Sequence, residues 1–333
     1  MSDDARRAGP PTRPPSGEEA APDTPTELPA PSWWASLKRT FGEFSKDNLS
    51  DLAAGLTYYA VLSIFPALLV LISLLGLAGQ SATDLLVQNI SRIAPAEIEQ
   101  VLIAAIENLQ RSQTTAGIFG LVSLALALWS ASGYIAAFMR ASNIVYDVPE
   151  GRPIWKTLPI RVGVTLTLVV LLTVSAVAVV LTGGLAERVG NLLGVGPIAV
   201  TVWDIAKWPV LLIIVSFMIA LLYWASPNAK RGFSWISPGS VLAIVIWLLA
   251  SAAFAFYVAN FGSYNKTYGS LAAVVIFLVW LWISNIAILL GTEFNAEIER
   301  GRAIAAGRSA DEEPYVELRD EPKPKKRRRR RKG

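Results

Sequence analysis

Six stretches of this chain carry no charged side chain: 52–83, 112–139, 162–186, 208–229, 232–265 and 267–292. Each reaches or exceeds the roughly 20 residues that an α-helix needs to cross a hydrocarbon core. Inside a bilayer every backbone N–H and C=O must be satisfied by the protein itself, which leaves helices and closed barrels. Barrel strands alternate polar and apolar residues, and these runs do not. The fold class read from this pattern is all-α: a polytopic membrane protein of six transmembrane helices with amphipathic interfacial helices. The crossings fall at about 52–78, 116–139, 160–183, 208–224, 238–259 and 270–300.

The remaining residues sort by composition. Residues 1–32 hold eight prolines and no apolar periodicity, the signature of a disordered extension; a signal peptide's apolar stretch behind a basic start is not seen. At 33–48, Trp33, Trp34, Leu37, Phe41 and Phe44 recur at helical spacing among charges. Such a helix lies in the membrane interface or packs on the protein's own surface, and the pattern leaves both open. Segment 80–115 contains a second amphipathic stretch over 95–110, opened by Pro95. Residues 309–333 read as a disordered tail ending in "KPKKRRRRRKG". That ending holds nine of the 30 basic residues, so the rest of the chain has 21 bases against 26 acids.

Lys/Arg in short connections set orientation. Arg140, Arg152, Lys156 and Arg161 fall in one connection and Lys230 and Arg231 in another on the same side. With an even number of crossings, both termini are expected in the cytoplasm, and 80–115 and 260–270 face outward. The basic tail then suits anionic lipid or a plain positive anchor; nucleic acid is not expected as a partner.

Two absences limit the chemistry. The chain has no Cys and no His, which removes disulfides, thiolate nucleophiles, the commonest metal ligand and the commonest general base. No metal, cofactor or catalytic residue is expected. The polar residues within the apolar runs stand out instead, because polar groups at membrane depth face protein or a water-filled cavity. Tyr58, Ser63, Asn285 and Thr292 are candidates for a path, with Asn285 and Thr292 seven residues apart on one helix face; Asn285 serves equally as an interhelical hydrogen bond. In the same first helix, Pro66 predicts a kink. Arg140 and Glu293, at similar predicted depth, are a candidate cytoplasmic gate pair. The hairpin "GSYNKTYGS" offers Tyr264, Asn265, Lys266 and Tyr268 as an outer gate or a structural clasp.

Four stretches, "AGLTYYAVLSIFPALLVLISLLG" (54–76), "LWSASGYIAAFMRASNIVYDVPEGRP" (128–153), "YWASPN" (223–228) and "NFGSYNKTYGSLAAVVIFLVWLWISNIAILLGTEFNAEIE" (260–299), resemble the BrkB/YihY family of bacterial inner-membrane proteins. The likeness spans about 50–300. It implies six inner-membrane helices with cytoplasmic termini, matching the topology above. The family was formerly labelled ribonuclease BN and has been linked to serum resistance and envelope-lipid movement. A zinc-type nuclease needs His and Asp ligands, so the ribonuclease label is disfavoured here. The functional expectation is a transporter or translocase for an envelope component such as a lipid or other amphiphile; the alternative is a non-enzymatic scaffold.

Overall fold

Helices form where the charge-free runs lie, and in several places beyond them. The computed structural model describes residues 30–77, 118–180, 196–260, 265–309 and 313–322, with isolated positions at 186, 187, 190 and 194. Of these, 30, 31, 64–77, 118–127, 180, 197, 259, 260 and 265–273 are described as backbone alone. Seven helices make up the described chain: α1 (Ala30–Lys46), α2 (Leu49–Leu77), α3 (Ile118–Val145), α4 (Ile154–Val180), α5 (Pro197–Ala225), α6 (Pro238–Asn260) and α7 (Asn265–Ala305). The protein is all-helical over these residues, apart from one isolated antiparallel bridge between Ala229 and Leu318. Among them, four helices are long and apolar enough to cross a membrane: Ile154–Val179, Ile198–Ala225, Pro238–Val258 and Val274–Ala305. The 80–115 segment, its amphipathic stretch, and the side chains around Pro66 lie outside the described residues.

Helix α7 is the axis of the bundle. It packs on α6, α2 and α1, while α2 pairs with α3, α3 with α4, and α4 with α5. At 41 residues it runs about 62 Å, roughly twice the thickness of a hydrocarbon core, so part of it must project beyond the apolar layer. The side chains of α4, α5 and α6 that face outward are large and apolar, Leu172, Ile213, Leu249 and Phe256 among them. Exposed apolar surface on this scale fits a lipid environment rather than water.

Packing between α6 and α7 is set by two glycines. A Cβ added at Gly239 would lie 2.0 Å from the Gly291 carbonyl, and one at Gly291 would lie 2.3 Å from the Gly239 carbonyl. The backbones therefore touch, as small residues allow in membrane helix pairs. Deeper in the pair, Trp247 Nε1 donates to Ser284 Oγ (3.1 Å) and Trp280 Nε1 to Ser251 Oγ (3.3 Å).

Several boundaries differ from the sequence reading: α3 runs on to Val145 and α4 begins at Ile154, and three further differences have a visible cause. Helix α5 begins at Pro197, not near Trp208, because Asp204 and Lys207 pair one turn apart (2.8 Å) and ride inside the helix. Helix α7 begins at Asn265, so much of the hydroxyl- and amide-rich hairpin is its first turn. Residues 313–322, assigned by composition to a disordered tail, are instead held in place. Lys230 N donates to Glu317 O (2.7 Å), Arg319 N to Asn228 O (3.0 Å), and Arg319 Nε to Ala229 O (2.7 Å). Composition reports side-chain hydrophobicity, and this stretch is held largely through backbone groups.

Candidate functional site

Four pieces of chain meet at one end of the bundle: α1, the α3–α4 connection, the α5–α6 connection, and 313–322 after α7. Their local structure is built by polar caps. Helix α3 ends with Asp147 in the left-handed region (φ 50°); its N–H donates to Ile144 O (2.9 Å) and that of Val148 to Asn143 O (3.0 Å). Helix α7 ends the same way, with Gly307 at φ 90° and Arg308 N donating to Ala303 O (3.0 Å). Both form the paired closing bonds that satisfy terminal carbonyls, and Asp147 occupies a conformation that glycine usually supplies.

Buried Arg152 caps the carbonyl end of α5. Its guanidinium donates to Ala225 O (3.2 Å) and Ser226 O (2.7 Å), and it pairs with Glu150 at 2.7 Å. Burial alone would raise the Glu150 carboxyl, but the hydrogen bonds from Arg152 outweigh it and hold that group below its ordinary value. Asn228 of "YWASPN" completes the join: its N–H donates to Asn143 Oδ1 (2.7 Å), and its Nδ2 to Pro149 O (2.8 Å) and Asp320 O (2.9 Å). Helix α6 starts on Ser237 and Ser240, which cap each other's backbone (2.9 and 3.1 Å). Asn295 of α7 accepts from Gly239 N (2.9 Å) and donates to Ser237 Oγ (3.0 Å).

Two cavities open among these elements. The larger, about 1000 Å³, is a cleft between α1, α6, α7 and 313–322. Val241, Leu242, Val245, Phe294 and Ile298 form its apolar wall, and Lys230, Arg231, Arg302, Glu299 and Glu317 its charged rim. Arg302 bonds Glu299 at 3.0 Å and Lys230 bonds Glu317 at 3.1 Å. The smaller, about 20 Å³, is lined by Glu43, Asp47, Asp147, Glu293, Glu297 and Arg300, with Tyr146 and Tyr315. Arg39 pairs with Glu297, Arg300 with Glu297 (3.4 Å) and Glu43 (3.7 Å), and Lys46 with Glu43 (3.0 Å). No three acidic, Cys or His groups among the described residues stand close enough to hold a metal ion.

The candidate path residues are not brought together. Asn285 is buried and bridges three helices, accepting from Tyr134 Oη of α3 (2.9 Å) and donating to Thr57 Oγ1 of α2 (3.1 Å). Ser63 donates to Tyr59 O (2.7 Å) of its own helix and lies 3.3 Å from Ala131 O of α3, and Thr292 donates to Ile288 O (3.1 Å) within α7. Tyr58 is exposed on the bundle's outer face. None of the four lines either cavity.

The pair Arg140–Glu293 does not form. Arg140 is exposed, with its guanidinium 5.7 Å from the centre of the Tyr59 ring, while Glu293 is buried and lines the smaller cavity. Equal depth along two helices leaves open which way each side chain points. Of the candidate outer gate, Tyr264 lies outside the described residues; Asn265, Lys266 and Tyr268 fall on the first turn of α7, with backbone alone described. Sequence reasoning missed Asn228, Arg152 and Asn295. Asn228 and Arg152 lie in "YWASPN" and "VPEGRP", whose Pro and Gly content marks connections that need side-chain caps.

The family described as virulence factor BrkB matches residues 40–315, nearly the whole helical body and its capped end. The chain belongs to the BrkB family. Among curated relatives, the ribonuclease-like protein YfkH of Bacillus subtilis is 29% identical over 281 residues, covering 84% of this chain and 98% of its own length. A UPF0761 membrane protein of Alkalilimnicola ehrlichii is 30% identical over 289 residues, covering 80% of this chain but 60% of the relative. The UPF0761 membrane protein MS0032 of Mannheimia succiniciproducens is 27% identical over 279 residues, at 79% and 89% coverage. No solved structure matches. This BrkB-family protein is therefore a multi-pass membrane protein, similar to two relatives named as membrane proteins and to one named ribonuclease-like.

Proposed function

We propose that this protein is a transporter or translocase for an amphiphilic component of the cell envelope. In this reading it sits in the inner membrane through six crossings, α2 to α7, with both termini cytoplasmic and no enzymatic step. The capped end then faces the cytoplasm, and the basic tail lies against anionic lipid. The amphipathic cleft carries the proposal: its α6 wall is apolar and its rim is charged, so one ligand with an apolar body and a polar head fits both. Reconstituted protein should move a fluorescent phospholipid between leaflets faster than empty liposomes. Leu242→Trp, which fills the apolar wall, should reduce that rate at least several-fold while leaving the helical content intact. Movement no faster than in empty liposomes, for lipid and for other amphiphiles, would count against it.

A second reading, a membrane scaffold in envelope organisation, is favoured by a different observation. The hydrogen-bonded set Tyr134–Asn285–Thr57 ties α2, α3 and α7 together where a path was expected. Under this reading Leu242→Trp leaves lipid movement unchanged, because there is none to lose, and α1 supplies the contacts with partners.

A further inference from the structure

Glu293 is a buried acid without a counter-charge. It is 2% exposed, and its Oε2 has no hydrogen-bond partner. It lines a cavity of about 20 Å³, enough for one water molecule. The bases nearby are committed elsewhere: Arg39 to Glu297, Lys46 to Glu43, and Arg300 to both. The other groups facing the pocket add negative charge. The end of α1 and the turn after it bring Glu43 and Asp47, the end of α3 brings Asp147, and α7 adds Glu297 one turn beyond Glu293. Tyr146 and Tyr315 are the remaining titratable side chains there, and Arg231 donates to the Tyr146 hydroxyl from outside. Five carboxylates thus line the pocket with one cation, Arg300, while Arg39 and Lys46 reach only Glu297 and Glu43 at its edge.

A carboxylate held out of water without a partner takes up a proton rather than bear the cost of its charge. We propose that this pocket is a proton-binding site, with the proton carried on the Glu293 carboxyl. The size of the cavity and the spacing of its acids, no three of which stand close enough together to hold a metal ion, select a proton over a metal cation. The proton comes from water at the mouth and returns to it, and nothing is oxidised or transferred besides. The rim feels the same field: burial, then Asp147 and Glu43, push the Asp47 carboxyl up to about 6. When Glu293 gives up its proton it opposes Glu297 at i,i+4, a repulsive spacing. Glu297 is also the residue that holds α1 through Arg39 and Ser36, so proton release loads the contact between α1 and α7. The site stands independently of the transport reading.

The test is difference infrared spectroscopy on the purified full chain in detergent, wild type against Glu293→Gln. A protonated-carboxyl C=O band should be present at neutral pH in the wild type, absent from the variant, and lost from the wild type as pH rises. Asp47→Asn, at the rim, removes one negative neighbour and should move the loss of that band to lower pH. This arm decides the matter even where Glu293→Gln does not fold. No such band in the wild type, or an identical band in Glu293→Gln, overturns the proposal. So does thermal stabilisation by sodium over potassium at matched ionic strength that Glu293→Gln abolishes, since the carboxylate would then hold a metal cation.

Discussion

Helices α1 and α6 both lie against α7, but they are held by opposite means. Helix α6 touches α7 backbone to backbone at Gly239 and Gly291, and its first turn is capped by Asn295. Helix α1 is held by Arg39 on Glu297, by Ser36 Oγ donating to Glu297 O (3.1 Å), and by Trp33 against Phe294 with ring centres 6.0 Å apart. The first contact depends on the absence of atoms and has one geometry. The second depends on charges and long side chains, so it responds to pH, salt and neighbouring ionisation. A bundle with one fixed and one adjustable neighbour on its central helix can move one side while holding the other.

The largest expected effect breaks the fixed side. Gly291→Ala places a methyl 2.3 Å from both the Gly239 carbonyl and the Tyr223 hydroxyl. Overpacking at contacts this short should leave a net loss of about 2–3 kcal/mol, after the roughly 1 kcal/mol that alanine gains in helix propensity. Thermal unfolding in detergent measures it, and Gly239→Ala in the same chain should be less than additive because the helices separate once. Next is Asn295→Ala, which leaves the Gly239 N–H and the Ser237 hydroxyl short of a partner for about 2 kcal/mol. Its signature is faster hydrogen exchange confined to the start of α6.

The adjustable side should respond more weakly. Arg39→Ala leaves Glu297 with Arg300 and should cost about 1 kcal/mol, the loss shrinking at high salt. Labels on α1 and α7 should then report a wider distance distribution, while labels on α6 and α7 do not. The smallest effect is that of pH through Asp47. Its folded value of about 6 lies above the ordinary aspartate value, so the folded state binds more protons than the unfolded one between about pH 4 and 6. Stability should therefore fall as pH rises through that window, and Asp47→Asn should flatten this part of the profile.

The membrane class was legible because absence of charge over more than twenty residues has few physical explanations. The first turns of α5 were not, because Asp204 and Lys207 neutralise each other locally and only the folded helix shows the pair. The order in 313–322 was hidden because backbone bonds to Asn228, Ala229 and Lys230 leave no mark in composition. Predicted depth put Arg140 and Glu293 at similar levels and so suggested a pair, yet rotation about each helix axis decides contact, and that depends on all neighbours at once. Asn295 read as one more polar residue in "GTEFNAEIE", since its partner is a glycine N–H 56 residues away.

The join at Asn228 also sets where the chain departs from the bundle. Helix α7 ends at Ala305, but Asp320 is pinned beside Gly151, where an added Cβ would lie 2.0 Å from the Asp320 carbonyl. Whatever follows residue 322 is therefore launched from the α3–α4 connection and not from the tip of the longest helix. A reporter fused there would sense the position of α3 and α4, and would be a poor gauge of movement in α7.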